Sequence, residues 1–151
     1  MTVRIATFRD NLINKCKYLL PLAEAKQFCA DVLSLDDSIR FAGVADSTGT
    51  SMHFVYRKGL VPLLSPEETA KSMLQAVLRS GTRITLEDKL GECAYNLSLY
   101  KKVKRITVPL RPPTVGRSNA ILMISLDAKT DHDAVIDDKI LPFLQKARLE
   151  L

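Results

Sequence analysis

The 151-residue chain has no tryptophan, five phenylalanines, four tyrosines, six glycines and seven prolines. So little glycine and proline excludes collagen-like and low-complexity compositions, and 46% hydrophobic residues exclude a disordered chain. Its three cysteines, Cys16, Cys29 and Cys93, are odd in number and far apart, with no C-x-x-C. That spacing argues against a disulfide framework and a zinc site, and the thiols read as reduced residues in or near a core. No apolar run approaches the roughly 20 residues of a membrane span. The best, residues 120–126, stops at Asp127. Residues 1–10 carry Arg4, Arg9 and Asp10 among scattered apolar residues and lack a signal-peptide core, so the expectation is a soluble protein of the cytoplasm.

The charge is uneven. Residues 1–50 balance six basic against six acidic side chains, whereas residues 51–130 hold thirteen basic and six acidic, and residues 131–151 hold three basic and five acidic. A basic middle attracts phosphate, acidic proteins or anionic membrane surfaces, and it also serves simply as a solvated face.

Hydrophobic periodicity orders the chain. Residues 6–20 place Phe8, Leu12, Ile13 and Cys16 at helical spacing until Pro21, which lacks an amide proton and crowds the preceding turn. Residues 22–35 form a second helix with a stripe of Ala25, Phe28, Cys29, Val32 and Leu33. Residues 39–46 are apolar and precede Ser47-Thr48-Gly49-Thr50, after which Met52, Phe54 and Tyr56 alternate with His53, Val55 and Arg57, the pattern of a β-hairpin. Ser65-Pro66-Glu67-Glu68 supplies an N-cap serine, a proline at the first helical position and a glutamate three residues after the cap. The helix that follows has Ala70, Met73, Leu74, Val77 and Leu78 as its expected apolar face. Gly81 weakens it, and a further turn over residues 86–90 ends at Gly91. Strands follow at residues 94–100, around Ile106, Val108 and Leu110, and at residues 121–126, the last apolar on both parities. The Pro112-Pro113 segment before that last strand cannot join a ladder and is read as an exposed loop. A final helix starts near Thr130 or Asp131. Pro142 lies inside it, and a kink is expected there at a cost of about 3 kcal/mol.

The order after the first helix, α-β-β-α-β-β-β-α, fits an α+β fold: a five-stranded antiparallel sheet with helices on one face. With Phe41-Ala42-Gly43-Val44-Ala45-Asp46 as opening strand, the Ser-Thr-Gly turn, the capped helix at Ser65 and a closing strand at residues 121–126, residues 22–151 resemble the roadblock/LC7 family of profilin-like and PAS-like sheets. They are also similar to a family of uncharacterised small archaeal proteins. Residues 1–21 would then be an N-terminal helical extension. The resemblance implies a non-catalytic signalling or scaffold module, with homodimerisation through a sheet edge or helix. A small-ligand sensor with a cavity between sheet and helices is the alternative.

Enzyme chemistry finds little support. Asp46-Ser47-Thr48-Gly49-Thr50 resembles the aspartyl-phosphate loop of P-type ATPases and related phosphatases, but such enzymes also need a lysine, an acidic pair for Mg²⁺ and a larger parallel core, and Asp137-Asp138 falls in a helical pattern. A hairpin turn is the favoured reading. No motif places a serine or cysteine beside His53 or His132. The absence of G-x-G-x-x-G and G-x-x-x-x-G-K leaves no nucleotide motif, and neither cofactor nor metal is expected. The densest charge feature is Lys101, Lys102, Lys104 and Arg105, with Arg111 and Arg117 nearby. It is expected at and after an exposed hairpin turn, as the contact for an acidic protein surface, with nucleic acid a less favoured partner.

Overall fold

In a computed structural model, residues 22–111 and 119–149 are described. The expected extension over residues 1–21, the proline loop and Arg117 lie outside them. Helix α1, Leu22–Leu33, is followed by strands β1, Ile39–Asp46, and β2, Met52–Tyr56. Then come helix α2, Pro66–Ile84, the single turn α3, Glu87–Leu90, and strands β3, Asn96–Leu99, β4, Val103–Leu110, and β5, Ala120–Asp127. The chain closes with α4, His132–Val135, a π-helical turn, Ile136–Ile140, and α5, Leu141–Leu149. All strand pairs are antiparallel, in the order β2-β1-β5-β4-β3. This is the α+β, five-stranded antiparallel architecture that the sequence implies. Among the described residues no helix is long and apolar enough to cross a membrane.

The helices do not share one face, as expected, but cover both. On the first face Ala42, Val44, Ile106, Val108, Leu122, Ile124 and Leu126 pack with Cys29 and Val32 of α1, Ile136 and Ile140 of the π turn and Leu144 of α5. On the second, Phe41, Ala45, Ile121 and Met123 pack with Met73, Ala76 and Val77 of α2. The reason is local to the central strands: β1 and β5 are apolar on both parities, so each side of the sheet needs its own cover. The Phe28 and Phe143 rings, with centroids 5.8 Å apart, join α1 to α5 on the first face.

The capping box at Ser65 forms as its sequence predicts. Ser65 Oγ accepts from the Glu68 amide and Glu68 Oε2 from the Ser65 amide, so two otherwise orphaned donors are satisfied, an arrangement worth about 1 kcal/mol. The buried stripe of α2 is not the expected one. It runs through Thr69, Ser72, Met73, Ala76, Val77 and Ser80, while Leu74 is 42% and Leu78 65% exposed. Small side chains on the inner stripe bring the helix close to the sheet, and Gly43 of β1 lies where it crosses: a Cβ there would sit 2.9 Å from Met73 Cε.

Pro142 breaks the last helix in a particular way. It has no amide to bond the carbonyl four residues back, and its ring crowds that carbonyl. The π turn immediately before it widens the helix at that point, and regular α-helix resumes at Leu141. Strand boundaries also move. β3 begins at Asn96 rather than residue 94, and β4 begins at Val103, three residues before Ile106. The hairpin turn is thereby shortened, which changes the surroundings of the basic residues.

Candidate functional site

Because β4 starts at Val103, Lys104 and Arg105 are neighbours in a strand and point to opposite faces. Only Lys101 and Lys102 stand exposed in the turn. Lys104 turns to the first face, where Nζ donates to the Thr130 carbonyl at 2.6 Å and to His132 Nδ1 at 3.0 Å. Arg105 turns to the second face and donates from Nη2 to Ser72 Oγ of α2, with Met123 Sδ at 3.8 Å. Arg111 is engaged elsewhere: its Nη2 pairs with Glu87 Oε1 at 2.5 Å and its Nε with Glu92 Oε2 at 3.5 Å. The Arg111 hydrogen bond holds the Glu87 carboxyl below its ordinary value, and Glu87 in turn raises Arg111. The expected cations among the described residues therefore do not form one patch.

What the fold does assemble is a groove of about 640 Å³ between α2 and the β3–β4 hairpin. Leu63 and Leu64 form one apolar end, Tyr100 and Val103 another, and Lys71, Lys101, Lys102 and Arg105 supply positive charge against Glu68, which is engaged in the α2 cap. Its floor is polar. β3 pairs with β4 so that Ser98 lies opposite Arg105 and Asn96 opposite Thr107, and α2 covers β1 and β5 instead of these strands. Neither Lys71 nor the Leu63-Leu64 segment was singled out in the sequence, where nothing links them to residue 105.

Arginines differ sharply in their partners. Asp127 receives Arg40 Nη1 at 3.0 Å and Arg57 Nη1 at 3.2 Å. Partial burial opposes ionisation of Asp127, yet Arg57 and Arg40 together hold its carboxyl below the ordinary value. Arg105 has no carboxylate within ion-pair distance among the described residues. Burial lowers its affinity for the proton, and Arg79 nearby adds to that effect while Tyr100 opposes it.

The β1–β2 turn accounts for Asp46. Its Oδ1 accepts from the Thr50 amide at 2.9 Å and from Thr48 Oγ1 at 3.0 Å, and its Oδ2 accepts from the Ser51 amide at 3.2 Å. Gly49 takes φ +73°, which closes the turn. The carboxylate thus organises a hairpin, while Asp137 and Asp138 stand exposed on the π turn. The structure does bring a serine beside a histidine: Ser51 Oγ is 3.2 Å from His53 Nε2, a contact the sequence reading did not anticipate. Asp46 binds the Ser51 amide and not the imidazole, and among the described residues no carboxylate pairs with His53 as the orienting third group of a nucleophile dyad. Among the described residues no three histidine, cysteine, aspartate or glutamate side chains group to hold a metal.

No protein-family model and no curated protein matches the sequence. Solved structures do. A chain described as MglB with tetrameric arrangement superposes with a TM-score of 0.60 at 16% identity, over 88% of this chain and 93% of that one. The gliding protein MglB of Thermus thermophilus gives 0.59 at 14%, covering 87% of each chain. A roadblock/LC7 domain from Streptomyces avermitilis gives 0.57 at 10%, over 83% and 95%. The fold is that of roadblock/LC7 domains, as the opening strand, turn and capped helix imply.

Proposed function

We propose that the chain is a non-catalytic signalling or scaffold module of the cytoplasm, of archaeal type, which forms a homodimer through α2 and meets an acidic protein partner at the β3–β4 turn. The observation that carries this reading is the outward stripe of α2. Ala70, Leu74, Leu78 and Gly81 recur at helical spacing on the side turned away from the sheet, Leu78 is 65% exposed, and a Cβ at Gly81 would meet nothing within 4 Å. A second copy laid along this stripe removes that leucine surface from water without disturbing the core, and the exposed edge strand β3, with Leu99 at 63%, offers backbone groups beside it. An assembly of this fold type is named in the tetrameric MglB chain. Light scattering at micromolar concentration tests the dimer. Wild type is expected as a dimer and Leu78→Glu as a folded monomer; a wild-type monomer overturns the reading.

The partner contact rests on Lys101 and Lys102, which sit together in the turn and repel each other there. An acidic surface relieves that repulsion and steers encounter, an effect that fades beyond a screening length of about 8 Å at physiological salt. Of the other members of the proposed group, Arg105 lines the same groove, Lys104 and Arg111 turn to partners of their own, and Arg117 lies outside the described residues. A pull-down with wild type beside Lys101→Glu/Lys102→Glu, at low and high salt and with nuclease treatment, is expected to lose an acidic partner in the variant. An identical partner set eliminates the site, and loss of capture only after nuclease transfers it to nucleic acid.

A further inference from the structure

Arg105 stands at the junction of two spaces. One is the open groove already described. The other is a slot of about 60 Å³ that runs beneath the segment carrying Leu60, Leu63 and Leu64, toward Tyr56, Thr69 and Ser125. The two share Leu63, Leu64, Val103 and Arg105. By the measure in which a water needs roughly 10–15 Å³ of such space, the slot holds about four to six waters, enough for a carboxylate and its first carbon and far too little for a nucleotide.

The chemistry of the slot is that of a single negative charge. Arg40 also lines it, but Arg40 is paired with Asp127, which it shares with Arg57. Arg105 has no carboxylate within ion-pair distance among the described residues, and with the Tyr100 hydroxyl, Ser72 Oγ and the weakly accepting Met123 Sδ as partners its five guanidinium N–H groups still leave donors to spare. Tyr56 and Thr69 hydroxyls lie 2.7 Å apart. One donates to the other, so the acceptor keeps its own proton to give, and both residues line the slot. Phe41, Leu60, Leu63 and Leu64 make the remaining walls apolar.

We propose that this slot binds a small monocarboxylate with an apolar body, its carboxylate paired with Arg105 and the Tyr56–Thr69 hydroxyls, and its body leaving past Leu63 and Leu64 into the groove. A planar guanidinium suits the carboxylate as a two-pronged partner, and the surrounding apolar walls strengthen the pair by excluding water. The slot is separate from the outer stripe of α2, and the groove into which the ligand body leaves is also lined by Lys101 and Lys102. Partial burial of a cation without a carboxylate partner is costly, and an incoming anion relieves it, so ligand and fold stabilise each other.

The test uses the full chain with butyrate, hexanoate and cyclohexanecarboxylate, each beside its neutral amide, and with inorganic phosphate. Thermal midpoints and amide NMR titrations are the readouts. At least one carboxylate is expected to raise the midpoint and shift the Val103, Arg105 and Ser125 amides, while its amide and phosphate do neither. Arg105→Gln is expected to weaken that binding about tenfold or more, and Arg105→Lys less. The amide pairs decide the matter in wild type even where Arg105→Gln does not fold. Failure of all three acids to bind, equal binding of an acid and its amide, tighter binding of phosphate, or unchanged binding by Arg105→Gln overturns the site.

Discussion

The two faces of the sheet are built from the same strands and end in different conditions. On the first, α1, the π turn and α5 seal a continuous core that reaches from β1 across β5 to β4, with Ile106, Leu122, Ile124, Leu126, Ile136 and Ile140 fully buried. On the second, α2 seals only β1 and β5, and over β4 and β3 the sheet presents Arg105, Thr107, Asn96 and Ser98. One face holds the fold together, and the other is left half open, with a cation lacking a carboxylate partner at its boundary. The contrast teaches where to look for function: stability is concentrated where both walls are apolar, and the surface free to bind is where one wall stops short.

The comparison breaks most easily in the sealed core. Ile124→Ala removes a fully buried side chain from the first face and is expected to destabilise by roughly 2–5 kcal/mol, against a change within about 0.5 kcal/mol for Thr107→Ala on the open strip. Urea unfolding of the two variants checks this, and similar costs would mean that the faces are not energetically distinct. The covered half of the second face is probed by Gly43→Ala. Its Cβ would approach Phe41 Cζ to 2.8 Å and Met73 Cε to 2.9 Å, so about 1–3 kcal/mol of overpacking is expected, and Gly43→Ala with Met73→Ala should cost less than the sum of the two. A double-mutant cycle by thermal or urea melting measures that coupling.

The smallest expected effect concerns the rim of the first face. The Lys139 hydrogen bond, helped by Ser38, lowers the Asp36 carboxyl from 3.8 to about 2. A depressed folded value means that the contribution is whole above the unfolded value and is lost as the pH falls from 3.8 to about 2. The Lys139 side chain is 46% exposed, so solvent screens the pair and the loss stays below about 1 kcal/mol. Stability measured against pH should fall more gently across that window in Lys139→Met than in wild type. An identical acid slope would remove the ion pair from the account.

The strands and their order were legible because alternation is a local property. Residues 39–46 and the aromatic run of β2 fall where their patterns put them, and the Ser65 cap forms because its partner groups lie within one turn. β4 was read three residues short, since extending the Ile106, Val108, Leu110 parity backward meets Lys104, a charge on the apolar side that disguises strand as turn. The same error merged Lys104 and Arg105 into one patch. The inner stripe of α2 was missed for a related reason: Thr69, Ser72 and Ser80 are buried for their small size, whereas hydropathy favours Leu74 and Leu78.

By itself the sequence determined the class of fold, because hydrophobic period, proline position and turn residues act over a few neighbours. Tertiary structure alone decided which helix covers which face, which arginines receive carboxylates and where the open strip lies. Arg40 meets Asp127 across a separation of 87 residues, while Arg105 reaches Ser72 across 33. Such pairings depend on register and on the direction each strand presents its side chains, and no local pattern carries either.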